Sequence, residues 1–199
     1  MFTLRSMERS NFYSARIAPA PEPLDSDIQA AIDRVMRGEP PLTLFTTLAR
    51  DRRLFLKFFG NGLLDRGHLN MRQREIVIDR TTALCGAEYE WGVHVVGFAE
   101  AAELTRGQIG SLVHGSSGDG CWSEEDCVLI DLCDALHETA TVDDDLWARL
   151  RGSFSEEPIL ELLMLAGFYH GTSYLVNALT LPLEAGRPRF ADYAGPLAE

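Results

Sequence analysis

The sequence predicts an all-α protein. Three observations predict it. Apolar residues recur at helical spacing through most of the chain, helix-start signals stand ahead of those segments, and no pair of alternating segments is joined by a hairpin turn. The clearest start signals are Asn70 with Gln73 and Thr105 with Gln108, each a polar cap followed three residues later by a glutamine that can reach back to it.

Residues 1–24 read as an extended N-terminal arm. Ala18-Pro19-Ala20-Pro21-Glu22-Pro23 blocks a helix and favours extended backbone. Such an arm either hangs free or packs on a neighbouring subunit, and Phe2, Phe12 and Tyr13 favour the second. The helical domain spans 25–181. Asp25-Ser26-Asp27 caps a first helix that reaches about Arg37, where Gly38 and Pro40-Pro41 stop it. Leu42 to Leu48 and Leu54 to Leu64 are the next apolar-periodic segments. Asn70 opens a helix that Gly86 breaks, and a second helix runs from about Ala87 to Ala102. Thr105 opens a short helix that ends near Val113, and the run His114 to Gly120 is a loop. Its glycines lack the strand-before, helix-after setting of a phosphate loop. Ser123-Glu124-Glu125-Asp126 starts a helix to about Glu138, Asp143 to Leu150 forms a short one, and Ser155-Glu156-Glu157-Pro158 starts a long one to about Leu179. Residues 182–199, with Phe190 and Tyr193, read as an irregular tail laid over the surface. No repeat of solenoid period is visible.

The chain has 199 residues, enough for one domain with a sizeable core. Thirty acids against 18 bases give a net charge of −12, which argues against nucleic acid and anionic membrane surfaces as partners. No apolar run approaches the ~18 residues of a membrane span. The N-terminus has no continuous apolar signal core, so the expected location is cytoplasmic. There the four cysteines, Cys85, Cys121, Cys127 and Cys133, default to free thiols. No Cys-x-x-Cys spacing is present, so no metal site is expected.

The residues that carry chemistry lie around Gly86. Glu90 and His94 are four apart and share a helix face, where a carboxylate raises and orients the imidazole. The plain alternative is a solvent-facing pair worth a few tenths of a kcal/mol. Glu75 sits one helix earlier and approaches His94 if the two helices fold back antiparallel about Gly86. Arg72, Arg74 and Arg80 flank it, and an arginine there could fork onto a substrate carboxylate. Cys85, at the helix junction, is either a reactive thiol or a small buried apolar residue. His170 sits among aromatic and small residues of the last helix, where with Asn177 it either lines a cavity or is a satisfied core histidine. His68, His114 and His137 read as solvated.

Arg72-x-Arg74-Glu75, then Cys85-Gly-Ala-Glu-Tyr-Glu-Trp-Gly-Val-His94, then Gly107-Gln-Ile109, with Leu146-Trp147-Ala-Arg-Leu, Glu161-Leu-Leu-Met-Leu, Tyr169 and Asn177-Ala-Leu in the C-terminal half, resembles the carboxymuconolactone decarboxylase family of the alkylhydroperoxidase D-like superfamily. The resemblance covers roughly residues 40 to 185. It implies an alkylhydroperoxidase D-like bundle of about seven to eight helices, assembled as a homo-oligomer (trimer, hexamer or dimer) that acts on a small-molecule substrate. The peroxidase branch uses a Cys-x-x-Cys pair with a histidine four residues after the second cysteine and a glutamate nineteen before that histidine. His94 and Glu75 match this spacing, but the cysteine positions fall on Ala87 and Glu90. The dithiol is therefore absent. The decarboxylase branch is cofactor-free and acts on a carboxylated lactone. The reading that follows is proton-transfer or decarboxylation chemistry through His94 with Glu90 and Glu75, with Arg72, Arg74 and Trp91 as substrate contacts. Its alternatives are peroxiredoxin-like antioxidant activity at Cys85, or a non-catalytic oligomeric member of the fold.

Overall fold

The computed structural model describes residues 15–195. Among them are nine α-helices, one 3-10 turn and no strand. The helices are α1 (Ser26–Met36), α2 (Thr43–Leu48), α3 (Arg52–Gly60), α4 (Met71–Leu84), α5 (Glu88–Phe98), α6 (Arg106–His114), α7 (Glu124–Thr139), α8 (Asp144–Ser153) and α9 (Glu156–Ala178).

The helix starts follow the caps in the sequence. Asn70 and Gln73 form a reciprocal capping box at α4, as do Thr105 and Gln108 at α6 and Ser123 and Asp126 at α7. Two ends fall four residues short of the sequence expectation. The third helix stops at Gly60 and the fifth at Phe98. The sequence beyond Phe98 folds into a tight turn instead, with Leu104 donating to the Ala99 carbonyl at 2.9 Å. This turn buries Ala102 without continuing the helix.

The centre of the molecule is α4. It packs against α5, α6, α7 and α9, and every residue from Arg74 to Thr82 is buried. A helix buried on all sides normally has no room for charge. This one carries Arg74, Glu75, Asp79 and Arg80, so each must find a partner inside. Arg80 forks onto Asp134 of α7 at 2.7 and 2.9 Å and also donates to the carbonyls of Leu112 and Gly115 at the end of α6. One guanidinium thus joins three helices.

The tail covers α5. Phe190 and Tyr193, in the 3-10 turn Phe190–Tyr193, pack on the fully buried Trp91 with ring centroids 4.9 and 5.4 Å away. Gly92 lets the tail come this close: a Cβ there would stand 3.0 Å from the Pro188 carbonyl oxygen. Glu184 caps α2, accepting from the Thr43 amide at 2.6 Å and from the Tyr89 hydroxyl at 2.5 Å. The described part of the N-terminal arm lies on its own chain, where Arg16 bonds to the Leu179 carbonyl and Ala20 to that of Thr46. Phe2, Phe12 and Tyr13 lie outside the described residues.

The sequence expectation that no apolar stretch nears membrane length needs one correction. By length and composition α9 could cross a bilayer, with a mean hydropathy of 1.3 over its most apolar window. Its hydropathy has two sources. One flank carries core residues such as Leu162, Leu165 and Tyr169, and the other exposes Leu160, Met164 and Tyr174.

Candidate functional site

The site forms where α4 and α5 fold back on each other. Gly86 makes the reversal with φ +62°, a conformation that costs glycine little. Glu75 of α4 then meets His94 of α5, with Oε2 2.8 Å from the imidazole Nδ1. The other ring nitrogen, Nε2, faces Glu90 Oε1 at 3.7 Å. Both are buried: His94 is 3% exposed and Glu90 6%. The expected alternative of a solvent-facing pair therefore does not apply.

Two further residues complete the cluster. Asp79, one turn after Glu75 on the same face of α4, is 1% exposed, and neither of its carboxylate oxygens has a hydrogen-bond partner. Tyr169 of α9 stands edge-on to the His94 ring at 4.9 Å, and Phe98 packs on it at 5.2 Å. Asp79 was legible in principle, since the Glu75–Asp79 spacing is the same one-turn interval that singles out Glu90 and His94. Tyr169 carried no such signal, because only the packing of α9 brings it in.

Three buried carboxyl groups around one imidazole cannot all ionise freely. Burial pushes Asp79 well above the usual carboxylate range, and the neighbouring Glu75 charge adds to this while His94 opposes it. Burial also raises Glu90, again against His94. For His94 burial alone would lower the proton affinity. The charge and hydrogen bond of Glu75, then Glu90 and Asp79, outweigh it, and the imidazole is raised. The cluster therefore retains protons at a pH where isolated carboxylates have lost theirs.

A stability trend follows. In the unfolded chain these groups titrate near their ordinary values. The His94 contribution is complete below its unfolded pKa and is lost as pH rises through its raised folded value. Asp79 and Glu90 likewise bind protons more tightly in the folded state, so stability falls as pH climbs above the usual carboxylate range. Asp79→Asn is nearly isosteric and cannot ionise. It is expected to stabilise the protein at pH 8 relative to pH 4.5 by about 1–3 kcal/mol, the order of a buried unsatisfied polar group. Urea denaturation at the two pH values measures it, and an effect independent of pH would refute the assignment.

The other sequence-predicted residues are placed as follows. Arg74 donates to Glu75 Oε1 at 3.2 Å and to the Leu64 carbonyl, and its guanidinium lies over the Phe98 ring, so it stands beside the cluster. Arg72 forks onto Asp126 at 3.2 and 2.9 Å and also reaches the Glu103 carbonyl. Trp91 is fully buried under the tail, and its Nε1 has no partner. Cys85 is half-buried and forms the C-cap of α4. That is the end of a helix dipole that disfavours a thiolate, and burial pushes the thiol up, opposed only by the Ser173 hydroxyl.

The arrangement can be compared with known structures. A peroxidase-related protein from Ralstonia eutropha JMP134, described as an alkylhydroperoxidase AhpD core, superimposes with a TM-score of 0.73 over 85% of this chain and 93% of its own, at 18% identity. The fold is AhpD-like. A peroxidase-related protein from Silicibacter sp. TM1040 superimposes at a TM-score of 0.73, covering 89% of this chain and 98% of its own at 14% identity. So does the debrominase Bmp8, solved as a cysteine-to-alanine variant in complex with 2,3,4-tribromopyrrole, at a TM-score of 0.73, 85% and 91% coverage and 14% identity. No protein-family model matches the chain, and no curated protein sequence does. The likeness to these structures is therefore one of three-dimensional fold.

Proposed function

We propose that the protein is a cofactor-free enzyme of the carboxymuconolactone decarboxylase type. It moves a proton onto or off a carbon of a small carboxylated or lactone-like substrate. The carrying observation is the Glu75–His94–Glu90 relay. Glu75 fixes Nδ1 of the imidazole, Nε2 faces Glu90, and the Glu90 carboxyl is raised by burial and keeps one oxygen, Oε2, without any protein partner. A carboxyl whose proton affinity burial raises, set beside an imidazole, is suited to act as a general acid. In decarboxylation the carbon–carboxylate bond breaks, carbon dioxide leaves with no electron pair, and the pair stays on carbon. The carbon then takes the Glu90 proton, His94 resupplies Glu90, and solvent reprotonates His94. Arg74 is the better-placed carboxylate anchor, since it already stands beside Glu75 and Phe98 while Arg72 is engaged by Asp126.

The test is turnover of a panel of carboxylated lactones and β-keto acids in deuterium oxide. Carbon dioxide release with deuterium at the vacated carbon is expected, and Glu90→Gln should reduce it by ~10²–10⁴-fold. Unchanged turnover in that variant would overturn the reading.

A second reading, thiol peroxidase chemistry at Cys85, has one observation in its favour: Sγ lies 3.8 Å from Nδ1 of His137. Trapping of a sulfenic acid at Cys85 under peroxide would support it.

The protein acts as a homo-oligomer in this reading. The exposed face of α9 carries Leu160, Met164 and Tyr174, each more than 60% exposed and spaced along one side of the helix. Met164→Glu places a charge in the middle of that stripe and is expected to shift the protein to a smaller species in sedimentation or light-scattering measurements. An unchanged mass would exclude α9 as the contact.

A further inference from the structure

The sequence reading expects no metal ligands, and it places Cys85, His137 and His170 in three unrelated roles. In the folded chain they converge. Cys85 caps the end of α4, His137 lies in the last turn of α7, and His170 projects from α9. Their ligand atoms all lie within 4.8 Å of one another. The Cys85 Sγ is 3.8 Å from His137 Nδ1, and the two imidazole rings stack at 5.6 Å. We propose that these three side chains form a binding site for a divalent d-block cation of the zinc type, with a fourth coordination position open to solvent.

The donor set argues for that class of ion. One thiolate and two imidazoles suit zinc and its borderline-soft neighbours and do not suit magnesium or calcium, which take oxygen ligands. The spacing is close to what such an ion needs. Tetrahedral zinc, with Zn–S of about 2.3 Å and Zn–N of about 2.0 Å, holds its donors roughly 3.5 Å apart. The Sγ–Nδ1 pair, at 3.8 Å, nearly meets this, and small side-chain rotations close the rest from within 4.8 Å. Three protein ligands with a water in the fourth position is the stoichiometry of catalytic rather than structural zinc.

The surroundings fit a cation. Both α4 and α7 end here, so two helix C-termini direct their carbonyl dipoles toward the cluster. Asn177 donates to the Cys85 carbonyl at 2.8 Å and pins the end of α4 to α9. Tyr174 packs edge-on against His170 at 4.9 Å, fixing its ring. His137 is exposed and provides the way in. Binding brings in the metal's two positive charges and releases the thiol proton to solvent as the sulfur–metal bond forms.

The experiment uses the full-length chain, freed of adventitious metal with a chelator and titrated with cobalt(II). One equivalent should bind and give a thiolate-to-cobalt charge-transfer band in the near ultraviolet, and one equivalent of zinc should bleach it. Cys85→Ser should abolish the band, while Cys121→Ser should leave it. Because His137 is exposed, His137→Ala keeps the fold, and its affinity should fall by more than the ~10–100-fold that loss of an outer hydrogen-bond partner costs. His170→Asn should do the same. Absence of the band, its survival in Cys85→Ser, or unchanged affinity in both histidine variants would overturn the proposal.

Discussion

Replacing His94 with alanine is expected to abolish proton-transfer turnover and to destabilise the fold by about 3–5 kcal/mol, the cost of removing one partner from a buried charged pair. The variant leaves the wholly buried Glu75 carboxylate with Arg74 as its remaining partner and removes its 2.8 Å bond to the imidazole. It also removes the positive charge that opposes the raised proton affinities of Asp79 and Glu90. The two effects separate experimentally. Urea denaturation gives the stability loss. Single-turnover proton exchange on the folded fraction gives the chemical loss, and His94→Gln, which retains a polar side chain, should recover part of the stability but none of the exchange. If His94→Gln exchanges protons like the wild type, the imidazole is structural.

Arg80→Met is expected to cost about 3 kcal/mol without touching the relay. Its guanidinium makes four hydrogen bonds, two to Asp134 and two to the backbone carbonyls at the end of α6. Charge-assisted bonds of this kind contribute about 1.5–3 kcal/mol each when lost singly, but Asp134 is about a third exposed and recovers solvation. For a domain of this size the loss appears as a drop in melting temperature of roughly 6–12 °C. Arg80→Lys should recover little, because an ammonium cannot span both the forked carboxylate and the two carbonyls. A melting temperature within two degrees of wild type, read as about 0.5–1 kcal/mol, would show that the three helices do not depend on this junction.

The sequence carried most of the helical plan because capping is local. Asn70, Thr105 and Ser123 each declare a helix start within four residues, and the structure forms a reciprocal box at all three. Helix ends were less legible. Nothing between Phe98 and Ala102 forbids helix; α5 stops there because the chain must turn to bury Leu104. The proton cluster was half legible. Glu90 and His94 lie one turn apart, and Glu75 joins them only if Gly86 reverses the chain, which it does. The grouping of Cys85 with His137 and His170 had no local signature. The gaps of 52 and 33 residues are set by how α7 and α9 pack on α4, and no spacing rule reaches that far.

The cover that the tail places on α5 also equips the molecule with an optical gauge. Its three tryptophans differ in setting: Trp91 is wholly buried, Trp122 partly so, and Trp147 is 43% exposed. Only Trp91 owes its dryness to Phe190 and Tyr193. Any event that lifts the segment around Pro188 off Gly92 lets water reach that indole while leaving the other two as they were. The wavelength of intrinsic emission thus reports the seating of the C-terminal segment continuously, with no label attached.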